Sequence, residues 1–203
     1  MTIDTKDMLN SILSSIARID YIKSEDIPNI GLYMDQVTTF MEEELRSTKR
    51  YEEDKILTKT MINNYAKNNL LPPPVKKKYS KEHMLMMIFI YYFKNILSIK
   101  DIETLLSPLT EKYFDKQEGL SFTDIYEEIC QFEKSRIIDV QKDMAKTYQS
   151  ALETFSDIPE NERGNLQTFA FLCSLSFDVY IKKQIIEKLI DELPKPEHTK
   201  KKE

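Results

Sequence analysis

Two groups of polar and basic residues in the middle of the chain have the types and spacing to bind a polyanion. The first group recurs at helical spacing and comprises Thr58, Lys59, Thr60, Asn63, Asn64, Tyr65 and Lys67. The second group follows three prolines and comprises Lys76, Lys77, Lys78 and Tyr79. An Asn amide can pair with N6 and N7 of adenine, and a lysine can reach guanine acceptors or phosphate. The residue types therefore predict contacts with bases or phosphates from Lys59, Thr60, Asn63, Asn64 and Lys67, and contacts with phosphates from Lys76–Lys78. Tyr65 and Tyr79 are expected to pack the second group onto the helix, where either hydroxyl could also touch phosphate.

The distribution of charge supports this interpretation. The whole chain is acidic, with 29 basic and 34 acidic residues and a net charge of −5. Between residues 55 and 100, however, nine lysines accompany a single acid, Glu82. The local field rather than the global charge attracts phosphate. The alternative is a solvated lysine face that binds no ligand.

Local signals place the first group on a short helix and the second on a loop. Thr58 is a good N-cap, because its hydroxyl can accept an orphan backbone N–H. The inward stripe of this helix comprises Met61, Ile62 and Tyr65. Asn69 can adopt the left-handed conformation that closes a helix, and Pro72 prevents its continuation. Prolines 72–74 and the lysines after them are predicted to form an extended, stiff, cationic loop.

Apolar periodicity predicts helices along the rest of the chain. The predicted helices span about 4–19, 32–45, 80–96, a short segment from residue 98 with Ile102 and Leu106 inward, 121–155 and 167–193. The last of these is apolar on most sides between Phe169 and Tyr180, which predicts a central core element. The predicted fold class is therefore all-α, a helical bundle with at most a short two-stranded wing.

Three segments are predicted from these elements. Residues 1–108 hold the N-terminal helices and both polar groups. Residues 109–193 form a helical hairpin or bundle, which packs on the first segment or dimerises. Residues 194–203 form a disordered, charged tail.

Several absences exclude classes of function. The three glycines, at positions 31, 119 and 164, supply no phosphate-binding loop. His83 and His198 are the only histidines, and Cys130 and Cys173 are isolated, so we predict no metal site, no cofactor and no enzyme. The sequence has no apolar run of about 20 residues and no signal peptide at its acidic start, so we predict a cytoplasmic protein without a membrane partner.

Residues 57–106 resemble the MerR family of transcription regulators. Five landmarks of that family stand here in its order and spacing: Tyr65, Asn69-Leu70-Leu71-Pro72, Lys78-Tyr79, His83-Met84 with Met87 and Ile90, and Ser98-Ile99-Lys100-Asp101-Ile102. It implies a winged helix-turn-helix whose recognition helix enters the major groove of DNA, and a basic wing that follows the flanking phosphates. It also implies a dimer through one long helix, for which residues 121–155 are the candidate. Asn63 stands where that family usually has Arg.

The whole chain is also similar to a bacterial family labelled domain of unknown function 1836. The phrases that carry this similarity are Leu32-Tyr33-Met34-Asp35-Gln36-Val37 and the segment 57–65. That family names no activity. The prediction is therefore a transcriptional regulator that binds double-stranded DNA and forms a homodimer through residues 121–155, with any small-molecule effector left open. The alternative is a helical protein–protein interaction module that keeps the fold without binding DNA.

Overall fold

The computed structural model describes residues 5–16, 22–116 and 118–194. Within these ranges most residues are helical and there is one two-stranded antiparallel sheet, which confirms the all-α class with a short strand pair. In chain order the elements are α1 (Thr5–Ile16), β1 (Leu32–Tyr33), α2 (Met34–Glu44), α3 (Lys59–Lys67), β2 (Lys78–Tyr79), α4 (Lys81–Phe93), α5 (Ile99–Tyr113), α6 (Phe122–Leu152) and α7 (Glu160–Asp191). Short 3-10 helices span Ser24–Asp26 and Arg46–Thr48. Beyond Pro194, the predicted tail lies outside the described residues.

The described residues divide into two compact units. One unit contains α1 and residues 129–185, and the other contains residues 22–128 with residues 186–194. Both polar groups of the sequence analysis belong to the second unit.

Serine caps begin three of the helices, because each serine exchanges hydrogen bonds with the residue three positions later. The Ser98 backbone N–H donates to the Asp101 carboxylate at 3.1 Å, and the Asp101 N–H donates back to the Ser98 hydroxyl at 3.2 Å. Ser121 and Asp124 make the same exchange at the start of α6, at 2.8 and 3.2 Å. At the start of α4, the Ser80 N–H donates to Nδ1 of His83 at 3.0 Å.

The core of the second unit is centred on α4. Every residue from His83 to Tyr91 is buried, so this helix is covered on all sides. Tyr126 at the beginning of α6 donates its buried hydroxyl to the Ile22 carbonyl at 2.6 Å. This hydrogen bond connects α6 to the segment before β1.

Three predicted helices have clearly different limits in the structure. The helix expected from residue 167 begins seven residues earlier, at Glu160. The helix expected from residue 32 begins at Met34, because Leu32 and Tyr33 pair with β2 instead. The short helix expected from residue 98 continues through Pro108 to Tyr113. A proline removes one helical hydrogen bond, but the last turns are retained by side-chain contacts: the Thr110 hydroxyl donates to the Leu106 carbonyl at 2.9 Å and lies 3.8 Å from Met86 Sδ.

The prediction that residues 169–180 form a central core element is wrong. In the first unit, Tyr148 and Ala151 of α6 pack with Phe171 of α7, and the Tyr148 and Phe171 ring centroids are 5.3 Å apart. Leu9 of α1 and Leu175 complete this cluster. Among the described residues this cluster covers only one side of α7. The apolar residues on its other side are exposed: Phe169, Leu172, Phe177, Val179 and Tyr180.

Candidate nucleic-acid interface

The α3 helix separates a buried face from an exposed polar face. Its first turn is capped by Thr58, whose half-buried hydroxyl accepts the Met61 N–H at 3.2 Å. Ile62 and Tyr65 are buried. The exposed face consists of Lys59, Thr60, Asn63, Asn64 and Lys67. At about 100° per residue these five positions share the side of the helix opposite the two buried ones.

A hydrogen-bonded turn ends α3 and redirects the chain toward the prolines. Asn69 has a φ of 57°, which confirms the predicted left-handed residue. The Leu70 N–H donates to the Tyr65 carbonyl at 2.9 Å, and the Asn69 N–H donates to the Ala66 carbonyl at 3.4 Å. This is the Schellman arrangement, which satisfies the last carbonyls of a helix. Leu70 is buried and anchors the turn in the core.

The lysine group lies on a tight hairpin, so the prediction of an extended loop is wrong for residues 75–78. Val75 and Lys78 exchange backbone hydrogen bonds of 3.1 and 2.9 Å across a two-residue turn. The two turn residues, Lys76 and Lys77, have φ values of 49° and 63°. Positive φ at both positions is characteristic of a type I′ turn, which usually carries Asn-Gly. The backbone is therefore strained at these two lysines. Lys76, Lys77 and Lys78 are all exposed.

The base of this hairpin is fixed to the strand before α2. Leu32 pairs with Tyr79, and Tyr33 pairs with Lys78. The Lys78 ammonium lies 5.2 Å from the centroid of the Tyr33 ring, a cation–π contact. Gly31 permits this approach, because a Cβ at that position would lie 3.0 Å from the Lys78 Cβ.

The junction of β1 and α2 brings the two polar groups together. Asp35, in the first turn of α2, forms an ion pair with Lys59 at the start of α3. Two residues earlier, Tyr33 contacts Lys78 of the hairpin. The beginning of α3 and the base of the lysine hairpin therefore meet at the same N-terminal end of α2.

Tyr65 and Tyr79 lie beneath this surface rather than on it. Both side chains are buried, and burial raises the pKa of each phenol above its ordinary value. The Tyr79 ring packs edge-on against the His83 ring, with centroids 5.5 Å apart. The two tyrosines hold α3 and the hairpin on the core.

His83 supports the hairpin from the interior. Its ring also packs edge-on against Phe114 at 4.8 Å, and Nδ1 accepts the Ser80 N–H. Burial lowers the pKa of the imidazole, and the nearby Asp115 carboxylate opposes that shift. Because Nδ1 is an acceptor, the neutral ring carries its proton on Nε2.

One lysine of the basic segment, Lys94, is half-buried and contacts neighbouring parts of the fold. The half-buried Lys94 donates from Nζ to the Ile56 carbonyl at 2.5 Å, and Nζ lies 4.7 Å from the Tyr91 ring centroid. Burial lowers the pKa of this ammonium group. Lys94 therefore fastens the segment before α3 to α4 and does not add to the exposed charge.

Sequence reasoning missed the roles of Tyr33 and Asp35. Both residues were assigned to the predicted helix at 32–45, and a strand of two residues leaves no alternating pattern to detect.

Two features are absent from the part of the chain that the structure describes. None of its helices has both the length and the apolar character that a bilayer crossing requires. Nor do three or more His, Cys, Asp or Glu side chains gather there in a way that would hold a metal ion.

Comparison with known proteins gives one match. A family model described as "Domain of unknown function (DUF1836)" matches residues 22–129. This range contains β1 to α5 and both polar groups. No curated protein and no solved structure matches the chain.

Proposed function

The chain belongs to the family described as domain of unknown function (DUF1836), and we propose that it is a transcriptional regulator that binds double-stranded DNA. In this proposal α2 and α3 are the helix-turn-helix, and the lysine hairpin is the wing, as in the MerR family. In this proposal the protein acts in the cytoplasm, where the DNA of a bacterial cell lies.

The junction of β1 and α2 carries the proposal. Through Asp35 it contacts Lys59, and through Tyr33 it contacts Lys78. One corner thus contacts the start of a polar helix and the base of a basic hairpin, which are the two elements that a winged helix-turn-helix places on a duplex.

The residue types of α3 suit a major groove, which at about 12 Å wide admits an α-helix of about 10–12 Å diameter. Asn63 and Asn64 offer amides that can pair with adenine edges. Lys59 and Lys67 flank them and can reach guanine acceptors or phosphate.

The hairpin supplies charge without base recognition. Lys76, Lys77 and Lys78 present ammonium groups that neutralise phosphates beside the groove, which raises affinity for all sequences equally. Tyr65, Tyr79 and Thr58 act as positioning residues in this proposal, because they fix the helix and hairpin from within.

Selection from a pool of random duplexes at two salt concentrations tests the proposal. The full chain should enrich a short sequence, and its affinity for all duplexes should fall as salt rises. The same selection with Asn63→Ala/Asn64→Ala should retain salt-dependent binding but lose the enriched sequence. Absence of enrichment with the unaltered chain would contradict sequence-specific DNA binding.

The alternative function is a protein–protein interaction module without DNA binding. The exposed apolar side chains of α7 favour it, since such surfaces mark contacts with other proteins. The two functions differ in the selection experiment, because the module enriches no sequence. The homodimer through residues 121–155 remains a prediction.

A further inference from the structure

A stripe of exposed side chains without charge runs along one side of α7. It comprises Phe169, Leu172, Cys173, Ser176, Phe177 and Tyr180. The exposed fractions of its large members are 63% for Phe169, 55% for Leu172, 62% for Phe177 and 56% for Tyr180. Steps of three and four residues place all six on the side opposite Phe171 and Leu175, which pack in the core.

The order of side chains in this stripe is symmetric about its centre. Small residues, Cys173 and Ser176, occupy the middle. Large residues lie outside them, with Leu172 and Phe177 next to the centre and aromatic rings at both ends. If a second α7 runs antiparallel across the first, Phe169 faces the second copy's Tyr180, Leu172 faces its Phe177, and Cys173 faces its Ser176.

We propose that this stripe is the interface with a second copy of the chain, formed by two antiparallel α7 helices. A two-fold interface requires one patch to be complementary to itself, and the symmetric order meets that requirement. The small residues at the centre allow the two helices to approach closely. The Ser176 hydroxyl already donates to the Leu172 carbonyl at 2.8 Å, so its burial leaves no orphan donor.

The area of the stripe is consistent with a dimer interface. Aromatic side chains have roughly 150–250 Å² each, so three rings that are more than half exposed supply on the order of 300 Å² of apolar surface per copy. A standard interface takes about 800 Å² from each partner. Leu172, Cys173 and Ser176 are exposed as well and add to this area, so the stripe supplies about half of what a standard interface takes from one partner.

The exposed apolar residues of α6 do not form such a stripe. Phe132, Ile138, Val140 and Leu152 are exposed, and their positions spread over about 240° around the helix, against about 140° for the stripe on α7. A single partner helix therefore covers the α7 stripe more completely than these four residues. The geometry therefore favours α7 over residues 121–155 as the surface that joins two copies.

This inference is independent of DNA binding, and it is tested without DNA. Sedimentation at micromolar concentration should give a dimer for the unaltered chain. Phe177→Glu should give a monomer, because it places a charge in the interface. Loss of a hot-spot contact raises the dissociation constant by about 30-fold, and the two-fold axis applies the change twice, so we expect about 1,000-fold.

Phe132→Glu is the matched control, because Phe132 is 65% exposed and lies on α6. This variant should remain a dimer. A monomeric unaltered chain would overturn the proposal. If Phe132→Glu dissociates the dimer and Phe177→Glu does not, the interface lies on α6 and the proposal is wrong. Circular dichroism of each variant establishes that the helices are retained.

A disulfide tests the register. Ser176→Cys should place a thiol opposite Cys173 of the second copy, and added diamide should remove two electrons and two protons from each pair to form two S–S bonds per dimer. Cys173→Ser/Ser176→Cys should lose this covalent dimer. Cross-linking that persists without Cys173 would contradict the antiparallel register.

Discussion

Asn63 and Asn64 are adjacent on the exposed face of α3, where a short amide can reach a base edge but cannot replace the charge of Arg. Replacing either residue by Ala should cost about 1–3 kcal/mol of binding free energy at particular base pairs. Affinities for the selected duplex and for its single-base-pair variants measure this cost. Asn161→Ala, at an exposed position on α7, should change nothing. A uniform loss over all duplexes would mean that the amides do not read bases.

His83 should make the stability of the fold fall in mild acid. Burial lowers the pKa of the imidazole in the folded state, so the unfolded chain binds more protons as the pH falls through the ordinary value of about 6.5. Stability is fully present above that value and is lost below it. The loss ends once the pH is under the folded pKa.

His83→Gln isolates this effect, because a Gln side chain can still accept the Ser80 N–H at the start of α4. Urea unfolding on both sides of the ordinary pKa should show a larger loss of unfolding free energy for the unaltered chain than for the variant. Burial also raises the pKa of Glu82, which adjoins Asp115. These two residues are present in both proteins, so their effect cancels in the comparison. Equal losses in the two proteins would contradict a titrating His83.

At the scale of elements, Lys76 and Lys77 affect two properties: the stability of the hairpin turn and the affinity for DNA. Residues other than Gly pay roughly 1–2 kcal/mol in the left-handed region, so Lys76→Asn/Lys77→Gly should raise the free energy of unfolding by about 1 kcal/mol or more. The same change removes two cations and should weaken duplex binding. A variant that is more stable but binds DNA as tightly as before would show that these lysines do not contact phosphate. Urea unfolding and fluorescence anisotropy give the two measurements.

Local signals predicted the elements whose causes are local. Thr58 caps α3, Asn69 ends it and Ser80 begins α4, because each of these features depends on hydrogen bonds within a few residues. The strand Leu32–Tyr33 escaped prediction, since its partner lies more than 40 residues away in sequence. The core position assigned to residues 169–180 was wrong for a related reason: periodicity reveals an apolar face but not what covers it.

The candidate site was predictable to a similar extent. The exposed face of α3 follows from the spacing of its polar residues around Ile62 and Tyr65. The contacts that bring this helix to the hairpin, Asp35 with Lys59 and Tyr33 with Lys78, depend on tertiary packing and leave no trace in local pattern. Lys94 also depends on tertiary packing. The sequence assigns it to the basic segment, although its half-buried ammonium group donates a hydrogen bond to the Ile56 carbonyl.

At the scale of the whole molecule, a basic surface lies within a chain of net charge −5. Such a protein should bind duplex DNA through local contacts, while its acidic remainder opposes non-specific association. A dimer through α7 would present two such surfaces, and the selected sequence should then be a palindrome. Selection with Phe177→Glu should recover a single half-site. An intact palindrome from this variant would show that recognition of the palindrome does not depend on the α7 interface.

The salt dependence of duplex affinity tests the joint action of α3 and the hairpin most directly. The affinity of the unaltered chain, plotted as log K against log salt concentration, should have a steep slope. Lys76→Ala/Lys77→Ala/Lys78→Ala should reduce that slope by about 2–3 units, close to one for each lost phosphate contact. Lys142→Ala/Lys146→Ala/Lys182→Ala removes the same charge from exposed positions of the other unit and should leave the slope unchanged. Equal slopes for the unaltered chain and the hairpin variant would contradict the proposed DNA interface.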